Sequence, residues 1–239
     1  MRFLKSFFLS LVLLASASMA HADKLLTLKG ECTGREAVVL VGGFNDDWRH
    51  FEPWLEELSK QPPCLFGFSH DHRSTTMSES ALALAERLQV LQAAGFDKLT
   101  VLAHSMGGLV AKRSLHDLAE LSSDNIPTVE LKAFGTPWGG YFWANFARWV
   151  PGSQALSSAL GFPMSAEIGS DSEFLKSLQR PLPPSMTLVV YDSLSDEVAR
   201  PQSDSSKEQF SKVLQHAKSV VVLNDVGHSE FVHKLRVPL

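Results

Sequence analysis

Leu99-Thr100-Val101-Leu102-Ala103-His104-Ser105-Met106-Gly107-Gly108 is the stretch whose reading decides the fold, because an apolar run, Leu99 to Ala103, enters it and a helical pattern leaves it. It reads as strand, sharp turn, helix. A serine at such a turn adopts a strained backbone conformation, so small residues are needed two positions before and two after it; Ala103 and Gly107 meet that requirement. The hydroxyl then stands clear of the sheet edge. The N-terminus of the following helix sets backbone N–H groups and a partial positive charge beside it, where a developing oxyanion would be stabilised. The stretch departs from the G-x-S-x-G form of a nucleophile elbow only in its first residue, where one methyl group still fits beside a tight turn. Serine and glycine beside a strand also make βα turns with no chemistry, so the surrounding chain has to decide between the two readings.

Upstream, Val38 to Val41 runs into Gly42-Gly43-Phe44-Asn45, the pattern of a buried parallel strand ending in a glycine-rich loop. Trp48, Phe51, Leu55 and Leu58 recur at helical spacing, with Pro53 tolerated in a first turn and Gln61-Pro62-Pro63 ending the segment. Leu65 to Phe68 predicts the next strand, and His70-Asp71-His72-Arg73 follows it. Thr76 and Glu79 have capping-box spacing, and Leu84, Leu88 and Leu91 mark one face of a helix that Gly95 closes.

Downstream of the elbow a helix is predicted from Ser105 to about Glu120. A strand from Val129 to Phe134 then ends in Gly135-Thr136-Pro137-Trp138-Gly139-Gly140. Met186 to Tyr191 predicts another strand, Lys207 to Lys218 a weak helix and Val220 to Leu223 the last strand. Between 138 and 184 no strand signal occurs, and Trp138, Phe142, Phe146 and Trp149 fall on one helical face, as expected of a cap-like insertion. The expected fold class is therefore α/β: a mostly parallel sheet of about six strands, helices on both faces, and a helical insertion after the fourth strand. In that architecture strand C-terminal ends share one edge. The loops starting at Gly42, His70, Ser105, Gly135, Asp192 and Asn224 should converge there.

The chain has 239 residues, 44% of them hydrophobic, enough for one domain with a sizeable core. Arg2 and Lys5, an apolar run from Phe7 to Ala17 and the small residues ending Ala20-His21-Ala22 have the pattern of a secretory signal peptide, too short to span a bilayer. Residues 1–22 are expected to be removed, with cleavage after Ala22 or after Ala20, leaving 23–239 as a single domain in the periplasm or outside the cell. Loss of Arg2 and Lys5 takes the formal charge from −4 to −6. With no basic run and no basic aromatic patch, nucleic acid is not an expected partner. Cys32 and Cys64 each shortly precede a strand; if those strands are parallel neighbours the two thiols lie near one end of the sheet, and a disulfide is expected in place of two free thiols.

A serine hydroxyl is a poor nucleophile until a base takes its proton, and an imidazole base needs an acid to hold it and to stabilise its cation. Asp192, Asp196 and Glu197 follow the penultimate strand; His228 and His233 follow the last. Asp196 is preferred to Asp192 because it lies a few residues into the loop, and His228, flanked by Gly227, is preferred to His233 in the apolar tail. His70, Asp71 and His72 could be read as metal ligands, but no further ligand cluster accompanies them and zinc wants three or four. Neither a metal nor an organic cofactor is expected. His104, although next to Ser105, should pack rather than act as base.

With its Ala103-His104-Ser105-Met106-Gly107-Gly108 elbow, its Gly135-Thr136-Pro137 stretch after the next strand and its Gly227-His228-Ser229 turn, the chain resembles the lipase and esterase-like members of the α/β-hydrolase superfamily over nearly all of 23–239. The resemblance implies Ser105 as nucleophile, Asp196 as acid and His228 as base. The family's His-Gly-Phe after the first strand corresponds to Gly42-Gly43-Phe44, so glycine replaces histidine and the backbone donor survives. By that alignment the N–H groups of Phe44 and Met106 form the oxyanion hole, with Gly43 as the other candidate for the first donor. Asp71 and Arg73 fall where the family has a structural pair beside the site. The activity implied is hydrolysis of carboxylic esters with hydrophobic acyl groups. Trp138, Phe142 and Phe146 are candidates to touch the substrate, with packing in the core of an inserted helical piece as the default reading, and transient contact with a lipid interface would follow if their rings were exposed. Acyl transfer, thioester or amide cleavage could use the same residues, and a noncatalytic module gripping a hydrophobic partner is the reading from another class.

Overall fold

In the computed structural model, residues 24–28, 32, 34–44, 46–60, 64–71, 74–122, 126–140, 164 and 167–238 are described. Strands β1 (Lys24–Thr27), β2 (Glu36–Val41), β3 (Cys64–Ser69), β4 (Lys98–His104), β5 (Thr128–Phe134), β6 (Met186–Ser193) and β7 (Ser219–Leu223) form one seven-stranded sheet in the order β1-β3-β2-β4-β5-β6-β7. All neighbours from β3 to β7 pair in parallel; β1 pairs antiparallel with β3. The helices are α1 (Glu52–Ser59, entered by a 3-10 turn at Trp48–Phe51), α2 (Met77–Ala93), α3 (Met106–Leu121), α4 (Glu173–Ser177), α5 (Asp204–Leu214) and α6 (Phe231–Lys234). The α/β architecture is the one expected. The additional strand, β1, escaped the sequence reading because four residues at a sheet edge leave Leu26 in solvent and carry too short an alternation to register.

Alternation along each central strand divides the core into two layers. Val39 and Val41 of β2 join Val101 and Ala103 of β4 on one face, where Met77, Ala81, Leu84 and Leu88 of α2 and Leu109, Leu115 and Leu118 of α3 cover them. Val38, Leu40 and Leu102 point to the other face, against Phe51, Trp54 and Leu58 on one side and Phe231 and Val232 on the other. Burial on both faces is why these strands read as unbroken apolar runs. The capping box of α2 is formed: Glu79 N–H donates to Thr76 Oγ1 at 3.1 Å and Thr76 N–H to Glu79 Oε2 at 2.7 Å. Gly95, at φ 101°, takes the left-handed conformation that ends this helix. Of the expected insertion, the described part includes α4; residues 141–163, 165 and 166, and with them Phe142, Phe146 and Trp149, lie outside the described residues, as do 1–22.

Because β2 and β3 are parallel neighbours with Ala37 opposite Cys64, the chain ahead of β2 passes the start of β3, and Cys32 is bonded to Cys64 with Cα atoms 5.2 Å apart. A cross-link over a sequence separation of 32 contributes about 3 to 4 kcal/mol in the loop-entropy account. Reduction, or the pair Cys32→Ser and Cys64→Ser, is accordingly expected to lower Tm by roughly 10 °C, read by calorimetry with and without reductant.

Helix α3 carries buried polar groups that anchor the chain returning from the insertion. Lys112 is completely buried, and its Nζ donates to the carbonyl oxygens of Leu178 at 2.6 Å and Arg180 at 2.9 Å. Burial, and then the charge of Arg180, lowers its pKa to about 8. One turn on, burial and then the charges of Lys112, Arg180 and Arg113 push His116 down from 6.5 to about 4. The unfolded chain therefore takes up that proton before the folded one does, and the folded state loses ground as pH falls from 6.5 towards 4. His116→Leu should make the decline of Tm between those pH values shallower by a few degrees; a slope equal to wild type would mean the histidine is not responsible.

Candidate active site

Ser105 joins β4 to α3 at φ 54° and ψ −131°, a left-handed φ that non-glycine residues rarely adopt. The turn is held because the Ser105 N–H donates to the Phe134 carbonyl at 2.9 Å and the packed strand and helix on either side leave no alternative. Close approach explains the glycines around it. A Cβ on Gly107 would fall 2.2 Å from the Gly42 carbonyl oxygen, and one on Gly43 would fall 2.8 Å from Ser105 Cβ and 3.3 Å from its Oγ. The backbone of the Gly42-Gly43-Phe44 loop thus lies against the serine side chain, opposite the first turn of α3 with Met106 at its start. His70 braces the same loop: its Nε2 donates to the Gly42 carbonyl at 3.1 Å, and the ring is buried. His72 and Arg73 lie outside the described residues. Asp71 accepts from Ser74 Oγ at 2.6 Å and shapes the turn ahead of α2.

The structure brings together the three side chains singled out from three distant loops. His228 Nε2 lies 2.8 Å from Ser105 Oγ, and His228 Nδ1 lies 3.0 and 2.9 Å from the two carboxylate oxygens of Asp196. Asp196 is completely buried, and its Oδ1 also accepts from the N–H groups of Val198 and Ala199, both at 2.9 Å. A buried carboxylate with these donors stays where it is put. It accepts a hydrogen bond from the Nδ1–H of His228, which leaves the Nε2 lone pair facing the serine hydroxyl. Asp192, at the end of β6, does not contact the ring; burial, and then the nearby Asp196 charge, raises its carboxyl pKa against the lowering by a Ser193 backbone hydrogen bond and the Arg200 charge. His233 sits on α6 and is exposed.

Gly135, at φ 53°, passes so close beneath the pair that a Cβ there would fall 2.8 Å from Asp196 Oδ2 and 3.4 Å from His228 Nδ1. Trp138, for which core packing is the default reading beside substrate contact, is completely buried in the main core.

A parallel sheet with a strained serine at the end of one strand, an acid beyond a later one and a histidine beyond the last defines the α/β-hydrolase fold. The family described as an alpha/beta hydrolase of unknown function, DUF900, matches residues 59–134, which include the elbow. The lipase BlEst2 of Bacillus licheniformis in its mature form is 15% identical, with 90% of this chain and 94% of that one covered at a TM-score of 0.60. A monoacylglycerol lipase of Paleococcus ferrophilus is 16% identical, with 89% and 92% covered at 0.56. An esterase of Thermogutta terrifontis is 18% identical, with 88% and 87% covered at 0.53. No curated protein matches the chain in sequence.

If Asp196 sets the tautomer of His228, Asp196→Asn, which keeps the shape of the side chain, should lower kcat by about 10³ to 10⁴ on any ester turned over, with little change in KM. Steady-state kinetics on the purified variant reads this directly.

Proposed function

We propose that the protein is an exported serine hydrolase that cleaves carboxylic esters of hydrophobic acids through an acyl-enzyme on Ser105. The observation that carries the reading is the His228 imidazole lying within hydrogen-bond reach of both Ser105 Oγ and the Asp196 carboxylate. In this reading His228 Nε2 takes the Ser105 proton as Oγ attacks the ester carbonyl, and the oxyanion is received by the N–H groups of Phe44 and Met106. His228 Nε2–H then protonates the leaving alkoxide, and the acyl group stays on Ser105. Water, deprotonated by the same nitrogen, releases the acid and restores the serine. Asp196 stays ionised and stabilises the imidazolium at each transfer.

The preference for hydrophobic acyl groups is supported by the half-exposed Phe44 ring at the site and by the lipases and esterases among the structural neighbours. Such esters would be met at a lipid interface. Export is supported by the N-terminal pattern of residues 1–22 and by the Cys32–Cys64 bond, which an oxidising compartment preserves.

A fluorophosphonate probe followed by peptide mass analysis tests the chemistry. The expected result is modification of wild type on Ser105 and none of Ser105→Ala; a folded wild type that takes no label would favour a binding module. A chain-length series of p-nitrophenyl esters then tests the substrate class. Turnover should extend to long acyl chains, and activity confined to acetyl and butyryl esters would overturn the lipid preference.

A further inference from the structure

His104 ends β4, one residue before Ser105, and is 4% exposed; the reaction described above assigns it no part. Its Nε2 lies 2.8 Å from the backbone carbonyl oxygen of His228. A carbonyl only accepts, so Nε2 carries the proton and donates it. Burial, followed by the charges of His50 and His228, holds the His104 pKa down to about 3, and the neutral ring has its single proton on that nitrogen. Its Nδ1 is buried with no hydrogen-bond partner among the described residues.

Behind this ring stands a second one. His50, in the 3-10 turn before α1, stacks on His104 with centroids 3.7 Å apart and planes within 6° of parallel. His50 Nδ1 is 2.9 Å from Asp46 Oδ2. Burial opposes ionisation of Asp46, but the hydrogen bond and charge of His50, with the N–H of Asp47, outweigh it and hold the carboxyl below its ordinary range. Ligand atoms of Asp46, His50 and His104 lie within 4.8 Å of one another, a spacing that a cation could use. The stack opposes that use. Imidazole lone pairs lie in the ring plane, so near-parallel rings aim theirs along parallel lines that do not meet at one ion.

What the arrangement does instead is hold the catalytic loop. His228 is gripped at three points: Nδ1 by Asp196, Nε2 by Ser105, and the backbone carbonyl by His104. Two of those grips come from adjacent residues of one strand end, so the hydroxyl and the backbone of the base are referred to the same rigid element. We propose that His104 is a positioning residue for His228, donating to its carbonyl and braced from behind by the Asp46–His50 pair. The inference rests on the reading of Ser105, His228 and Asp196 as a triad.

The test is kcat per fluorophosphonate-labelled site, with KM, on a p-nitrophenyl ester for wild type, His104→Phe, His104→Gln and His50→Ala. Phenylalanine keeps a ring for the stack but cannot donate, and because a misplacement of about 1 Å can cost about a hundredfold, a fall in kcat per site of roughly 10- to 100-fold at unchanged KM is expected. Glutamine offers an N–H towards the same carbonyl and should recover most of the rate. His50→Ala, which leaves the strand end intact, should lose about three- to tenfold in kcat, again at unchanged KM. Wild-type kcat per labelled site in His104→Phe, or a glutamine variant as slow as the phenylalanine one, overturns the inference. If His104→Phe shows no cooperative thermal transition, His50→Ala decides, and an unchanged kcat there overturns it. A wild type that does not label removes the triad reading and this inference with it; a labelled wild type with indifferent variants removes this inference alone.

Discussion

The backbone of Ser105, held at φ 54° between a strand buried on both faces and the helix that packs back over it, is the constraint from which the rest of the site follows. A left-handed conformation at a non-glycine residue costs of order 1–3 kcal/mol, and it persists only where the surroundings leave no alternative. Here β4 is paired in parallel on both sides, α3 packs against the same core, and the Phe134 carbonyl takes the serine N–H. Every atom near the turn is then short of room. Gly107 is small because the backbone of Val41 and Gly42 occupies the space a side chain would need, and Gly43 because the Ser105 side chain does.

The register of the sheet does the second part of the work. Because β4, β5, β6 and β7 run in parallel and in sequence, the segments leaving their C-terminal ends emerge side by side. Asp196 and His228 reach Ser105 without any long excursion. Gly135, between them and the elbow, is the spacer whose missing Cβ lets carboxylate and imidazole meet. The carboxylate is desolvated, yet its two N–H donors and the histidine compensate for the lost water and fix its direction.

Around the site, buried polar groups tie separate segments together. Lys112 clamps two carbonyls beyond α4 to the helix that starts at the elbow, and the Cys32–Cys64 bond fastens the chain ahead of β2 to the start of β3. His70 donates to the Gly42 carbonyl, His104 to the His228 carbonyl, and His50 stacks on His104.

The parallel sheet, the capping box of α2, the elbow and the loops carrying Asp196 and His228 were all legible along the chain, because each depends on residues within a few positions of one another: apolar runs, a Thr-x-x-Glu spacing, small residues flanking a serine. What was not legible depends on atoms far apart in sequence. The sequence cannot show that Trp138 turns into the core, that a Cβ at Gly135 would collide with Asp196, that His70 faces Gly42, or that His50 lies flat on His104, since each is settled by how closely two distant backbones approach. The sequence alone determined which groups could react and on which edge of the sheet they would emerge, since strand direction and local turn chemistry are written in short patterns. Tertiary packing alone decided their distances and the rings and carbonyls that hold them there, because close packing fills space with whichever segments meet, and sequence proximity has no part in that.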